Sequence, residues 1–221
     1  MNVTRRHLVI PIVLLVAFLS LAPAGLALPR AVIGSLFGQR MIRAEVVDLA
    51  PDGSVQDLRV DRGVILTLSP ASLTISELDG TSVSIDVSPS TSVAGRIFAL
   101  RQLRRGMRVT VIRPANGPAS IVDVGAANSS VFGQRTIRAE VLGLAADGSV
   151  QDVRIDRGTV RALTPTSLTI SEFDGTSVTV DLSSSTSVTG RIFSTAQLRR
   201  GMRVTVVRPA NGAASIVQVG F

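Results

Sequence analysis

The sequence predicts an all-β protein made of two nearly identical small domains behind an N-terminal export segment, and three observations carry that expectation. First, Ser35 to Gly125 aligns with Ser130 to Gly220 at a constant offset (133 − 38 = 95 for the Gly38 and Gly133 pair), without a gap and with roughly 70% of positions identical, which is a tandem duplication. Second, Asp52-Gly53, Asp79-Gly80 and Asn116-Gly117 recur as Asp147-Gly148, Asp174-Gly175 and Asn211-Gly212, each between runs rich in Val, Ile and Leu. Dipeptides of this kind adopt positive φ at low cost and mark hairpin turns. Third, the flanking runs alternate, as in Val83, Ile85 and Val87 against Ser82, Ser84 and Asp86, or Met107, Val109 and Val111 against Arg108 and Thr110. A period of two is that of a half-buried strand.

The first element is the export segment, residues 1–27. A short basic stretch with Arg5, Arg6 and His7 precedes the apolar run Leu8 to Leu21, and Ala22-Pro23-Ala24-Gly25-Leu26-Ala27 follows. This is the order of a secretory signal peptide, with cleavage expected after Ala24 or after Ala27, so that the mature chain begins at Gly25 or Leu28. The competing reading is an uncleaved membrane anchor, because Leu8 to Leu28 is long enough to span a bilayer. The paired arginines also resemble a twin-arginine export signal.

The two repeats, 35–125 and 130–220, are joined by Ala126 to Ser129 alone. Their period is far longer than the 20 to 50 residues of solenoid or propeller units, so each is expected to be a whole domain. In the first copy the expected strands are Ile42 to Leu49, Val55 to Asp61, Val64 to Leu68, Leu73 to Leu78, Ser82 to Val87, Met107 to Ile112 and Ser120 to Val124. Leu100 to Arg105, ended by Gly106, is expected to be a turn or two of helix. The copies test each other, because a position holding Leu in one and Arg in the other cannot be sealed in a core. Leu66 and Arg161 form such a pair and should face solvent with Val64 and Thr159. The apolar exchanges Ile65/Val160, Val60/Ile155 and Val47/Leu142 suit buried sites. Positions 60 and 65 differ in parity yet both should point inward, which a bulge at Gly63 would reconcile.

The runs Arg62-Gly63-Val64-Ile65, Ser72-Leu73-Thr74-Ile75, Asp79-Gly80-Thr81-Ser82-Val83-Ser84-Ile85 and Leu103-Arg104-Arg105-Gly106-Met107-Arg108-Val109 are similar to those of a known family. The chain resembles family 5666 of the bacterial domains of unknown function, over about two thirds of each copy. The second copy repeats the pattern at Arg157-Gly158, Ser167 to Ile170, Asp174 to Val180 and Leu198 to Val204. The resemblance implies two tandem small OB-like β-barrels of an exported protein, and it carries no catalytic residues or activity with it.

Composition excludes much of chemistry. There is no Cys, hence no disulfide, thiolate metal site or lipoprotein cysteine, and the single His lies in the export segment. A processed chain has no Lys, Tyr or Trp either, so no base stands ready to activate a serine. No phosphate-loop, dinucleotide or nucleophile-elbow string occurs, and no cofactor is expected. Carboxylate pairs such as Asp79 and Asp86 leave a hydrolase as the alternative from another class. A calcium reading of Asp52, Asp57 and Asp61 fails the EF-hand spacing, and Arg59, Asp61 and Arg62 are expected to form weak cross-strand charge pairs.

Basic charge is carried by Arg alone; the formal +7 becomes +5 once Arg5 and Arg6 are removed (7 − 2 = 5). It gathers without intervening acid at Arg101, Arg104, Arg105 and Arg108, and again at Arg199, Arg200 and Arg203, where Ala196 replaces Arg101. These seven are the candidate anion-binding residues. Nucleic acid is disfavoured because single-strand binding by OB-type folds uses aromatic platforms, and here only scattered Phe residues serve. The expectation is a non-catalytic envelope or secreted module whose partner is a protein, an anionic wall polymer or a membrane surface.

Overall fold

The computed structural model describes residues 40–125, 133 and 135–220; residues 1–27, expected to be an export segment, with their expected cleavage points, and the Ala126 to Ser129 linker lie outside the described residues. The described residues are nearly all β. The first repeat supplies β1 (Met41–Leu49), β2 (Val55–Leu68), β3 (Ser72–Glu77), β4 (Ser82–Asp86), β5 (Ser92–Gly95), β6 (Arg108–Pro114) and β7 (Ile121–Val124). The second supplies β8 (Thr136–Leu144), β9 (Val150–Leu163), β10 (Ser167–Glu172), β11 (Ser177–Asp181), β12 (Ser187–Gly190), β13 (Arg203–Pro209) and β14 (Ile216–Val219). The expected helix at Leu100 to Arg105 shrinks to a 3-10 turn, Leu100–Gln102. The Asp-Gly turns form as read, with φ of 85° at Gly53 and Gly80 and the Asp side chain accepting the amide of Ser54 or Thr81 at 2.9 Å.

Two expected strands, Val55 to Asp61 and Val64 to Leu68, are one continuous strand, β2, which changes partner along its length. Its first half pairs β1 and its second half pairs β3 on the same edge, while β6 runs along the opposite edge from Leu58 to Val64. The hand-over falls between Asp61, in register with Arg43, and Gly63, in register with Glu77. The bulge lies beyond it, where the register shifts between Ile65 and Thr67, and not at Gly63. Gly63 has a different duty: a Cβ there would sit 2.3 Å from the Ser76 carbonyl oxygen, so only glycine lets β3 approach.

The parity conflict between Val60 and Ile65 resolves through two cores. Val60 packs with Ala44, Val46 and Ile112, whereas Ile65 packs on the other side with Leu73, Ile75, Ile85, Val109 and Val122. Opposite faces of one strand are thus buried in different places, as a period of two requires. Arg161 is exposed as expected, and Val47 and Leu142 are half-buried. A strand absent from the expectation, β5, pairs parallel with β7.

The ladders do not stop at the repeat boundary. β1 pairs antiparallel with β8, so that all fourteen strands belong to one open sheet, not two separately closed barrels. Glu45 lies opposite Glu140, Ala44 opposite Val141 and Val46 opposite Ala139. Glu45 and Glu140 are equivalent positions of the two repeats, so the junction is isologous, with a pseudo-two-fold axis passing between them. The core that holds Val60 is shared across it: Ala44, Val46, Val60 and Ile112 meet their counterparts Ala139, Val141, Ile155 and Val207.

Candidate anion-binding tips and a buried carboxylate network

Residues 96–107, between β5 and β6, form a tip whose shape follows from apolar residues spaced by three. Ile97 and Leu100 are half-buried against the first repeat's core and Leu103 is buried within it. One face of a 3-10 turn is thereby pinned down. Phe98, Arg101, Gln102, Arg104 and Arg105 face out. The second repeat does the same with Ile192 and Leu198 inward and Phe193, Gln197, Arg199 and Arg200 outward.

The seven expected arginines divide into three kinds. Arg104 Nη1 donates to the carbonyls of Arg101 at 2.5 Å and Leu103 at 2.7 Å, and Arg199 Nη1 donates to those of Ala196 at 2.6 Å and Leu198 at 2.7 Å. These two close their own turns, satisfying carbonyls that the short helix leaves open. Arg101, Arg105 and Arg200 are exposed, and no carboxylate among the described residues lies within ion-pair distance of them. Arg108 and Arg203 begin β6 and β13 instead of sitting in the tips. Arg108 lines a cleft of about 210 Å³ with Arg62, Gly63, Glu77 and Leu78. Burial and then the nearby Arg108 push the pKa of Arg62 down.

Three features of the tips escape the sequence reading. Arg96 and Arg191 are exposed at their starts, within stretches that hold no acidic residue from 87 to 122 and from 182 to 221. The length of those stretches is the signal that could have found them. The third is the pair Phe98 and Phe193, 84% and 66% exposed.

A second cluster occupies the hand-over point of β2. Asp61 is completely buried, accepting from Arg59 Nε at 3.0 Å and Arg113 Nε at 3.1 Å. The expected surface pairing of Arg59, Asp61 and Arg62 is therefore corrected: Asp61 is an interior ion and Arg62 is buried on the other face. Arg43 Nη1 donates to Glu77 Oε2 and lies 3.3 Å from Asp79. In the second repeat Arg138 Nη1 reaches both Glu172 and Asp174 at 2.6 Å, and Arg208 Nε holds Asp156 at 3.2 Å. Burial raises the pKa of both glutamates, helped by Asp61 and Asp79 at Glu77 and by Asp156 and Asp174 at Glu172, which is pushed up to about 7. Oε1 of each has no hydrogen-bond partner among the described residues.

Asp79 and Asp86 do not form a catalytic pair. They stand at opposite ends of the β3–β4 hairpin, with Asp86 opposite Ser72 and Ser82 opposite Ser76, roughly 13 Å apart along the strand. Glycosidic carboxylates work within about 5 to 9.5 Å. Asp52 turns onto Ser54 while Asp61 is buried among arginines, and among the described residues no three His, Cys, Asp or Glu side chains converge on a metal position. No helix among them is long and apolar enough to cross a membrane. No protein family, curated protein or solved structure matches the chain.

Proposed function

We propose that this protein is an exported, non-catalytic binding module that docks on a polyanionic surface of the cell envelope through the arginine tips of its two repeats. The observation that carries the reading is the acid-free stretch of each repeat. Six arginines stand between Asp86 and Asp123, and five follow Asp181, with no carboxylate among them. Of these, Arg113 and Arg208 are held by buried aspartates, and Arg101, Arg105 and Arg200 are left exposed. Unpaired exposed arginines attract phosphate or carboxylate polymers over a Debye length of about 8 Å at physiological ionic strength. Export rests on the order of basic, apolar and small residues in 1–27. The resemblance to family 5666 supports reading each repeat as an OB-like unit, with β3–β4 and β5–β6–β7 leaving opposite edges of β2 to enclose one core.

The hydrolase reading draws on Glu172, a carboxyl held near neutrality beside Asp156 and Asp174. Its side chain has no exposed surface and is closed off by Arg138, which argues for a structural acid. The docking reading is tested by measuring retention of the protein on immobilised polyphosphate and on isolated cell wall between low and moderate salt. The variant Arg101→Ser, Arg105→Ser, Arg200→Ser leaves the turn-closing Arg104 and Arg199 in place. Retention should fall steeply with salt and at least tenfold in the variant; equal retention of variant and wild type would remove the reading.

A further inference from the structure

We propose that Phe98 and Phe193 are paired apolar wedges that enter an anionic lipid surface, the surrounding arginines resting on its headgroups. This rests on the docking reading above and specifies its ligand. Phe98 is 84% exposed and Phe193 66%, an arrangement that water disfavours and that an apolar phase would relieve. The preceding Ile97 and Ile192 turn inward, and the backbone N–H of each Phe is clamped by a side-chain carbonyl, Gln102 Oε1 at 3.0 Å and Gln197 Oε1 at 2.9 Å. The next three positions all differ between repeats, Ala99, Leu100 and Arg101 against Ser194, Thr195 and Ala196, yet both tips project a phenylalanine.

The chemistry surrounding each ring is layered as a membrane interface is. An apolar tip is flanked by Arg96, Arg101 and Arg105 in one repeat and by Arg191 and Arg200 in the other, with no acidic residue in the same stretches of chain. Such an arrangement matches acyl chains beneath an anionic layer. A single-stranded nucleic acid asks for successive aromatic platforms along one groove, whereas here one ring stands on each tip, beyond β5 and β12 at the two ends of the strand order. The pseudo-two-fold axis between Glu45 and Glu140 puts the two tips at equal height along it. Equal height is what a flat surface normal to that axis requires in order to meet both, and a second contact so made is gained at high effective concentration.

The chain contains no Trp, so Phe98→Trp and Phe193→Trp each install a single fluorophore at a tip of the full-length protein. With vesicles containing phosphatidylglycerol the introduced indole should shift to the blue and be quenched by lipids brominated on the acyl chains. Neutral phosphatidylcholine vesicles, polyphosphate and single-stranded DNA should leave its emission as in water. This readout reports the tip itself, whatever the N-terminal segment does. As an independent measurement, Phe98→Ser with Phe193→Ser should abolish the salt-resistant part of binding to anionic vesicles, a loss of about tenfold or more, and leave the salt-sensitive polyphosphate retention intact. An indole that stays water-exposed on anionic vesicles, while arginine-dependent polyphosphate retention persists, overturns the wedge and spares the docking reading. Loss of both overturns both. A shift or quench produced by DNA and not by vesicles overturns the lipid assignment.

Discussion

The first repeat holds its buried aspartate between two arginines, Arg59 and Arg113, whereas the second gives Asp156 a direct bond from Arg208 alone and sends Arg154 to Glu140 at 3.4 Å. Every charged residue of the network is the same in both copies: Arg43, Arg59, Asp61, Glu77, Asp79 and Arg113 correspond to Arg138, Arg154, Asp156, Glu172, Asp174 and Arg208. What differs is where the guanidinium groups point. Arg138 divides itself evenly between Glu172 and Asp174, while Arg43 closes on Glu77 and stands farther from Asp79. Identical composition thus yields two electrostatic states, and the tips add a third contrast, since Arg101 has no counterpart at Ala196.

The largest effect should come from breaking the interior pairs. Asp61→Asn leaves two half-buried arginine groups facing a neutral amide in place of a buried carboxylate, and its cost should be about 3 kcal/mol in urea unfolding. Asp156→Asn strips one direct bond and should cost less. Equal losses in the two variants would show that the difference between the repeats carries no energetic weight.

Proton binding sharpens the contrast next. Glu172 has its folded pKa near 7, above the ordinary 4.5, so folding favours its protonated form. Its contribution is fully present below about pH 4.5 and is lost as pH rises toward 7. Asp174 behaves oppositely: burial pushes it up, but the Thr176 amide and Arg138 outweigh that and hold it below its ordinary value. Its contribution is therefore lost only on acidification below that value. The melting temperature should drop by several degrees, about 5 °C, between pH 5 and 7.5, and Glu172→Gln should flatten that drop. Glu77→Gln should flatten it in the same sense, because burial raises the pKa of Glu77 as well. A melting curve indifferent to pH in this window would refute the assignment.

Much of this architecture was legible in the residues, and the part that was not has definite physical causes. The duplication, the Asp-Gly turns and most strand positions follow from local pattern, and the Leu66/Arg161 exchange correctly marks an outward position. The long strand β2 was hidden because Val60 and Ile65 are both buried but in different cores; alternation alone cannot say how many cores a strand serves. β5 was missed because a four-residue strand paired in parallel has no hairpin signal of its own. The β1–β8 ladder joins the copies through long-range pairing that no local window contains. Asp61 read as a surface charge because its partners Arg59 and Arg113 meet it only once β2 and β6 are paired, with Arg113 lying 52 residues away in the chain. At the tips the arginine runs were visible, but the turn-closing duty of Arg104 and the outward Phe98 depend on which neighbours the loop buries.

The smallest effect tests whether the two tips act as independent copies of one device. Arg101 is the single charge present in tip one and absent from tip two, and its guanidinium has no ion-pair partner among the described residues. A basic side chain near an anionic lipid surface contributes about 1 kcal/mol, which is roughly fivefold in affinity. Arg101→Ala should therefore weaken partitioning onto phosphatidylglycerol vesicles by about that factor, and Ala196→Arg should strengthen it equally. Neither substitution disturbs a turn, because Arg104 and Arg199 bond to the main-chain carbonyls at 101 and 196, which any residue supplies. Salt at about 1 M shrinks the screening length to about 3 Å and should erase both changes. If Ala196→Arg gains nothing while Arg101→Ala loses fivefold, the tips are not equivalent, and the surface is met by the first repeat alone.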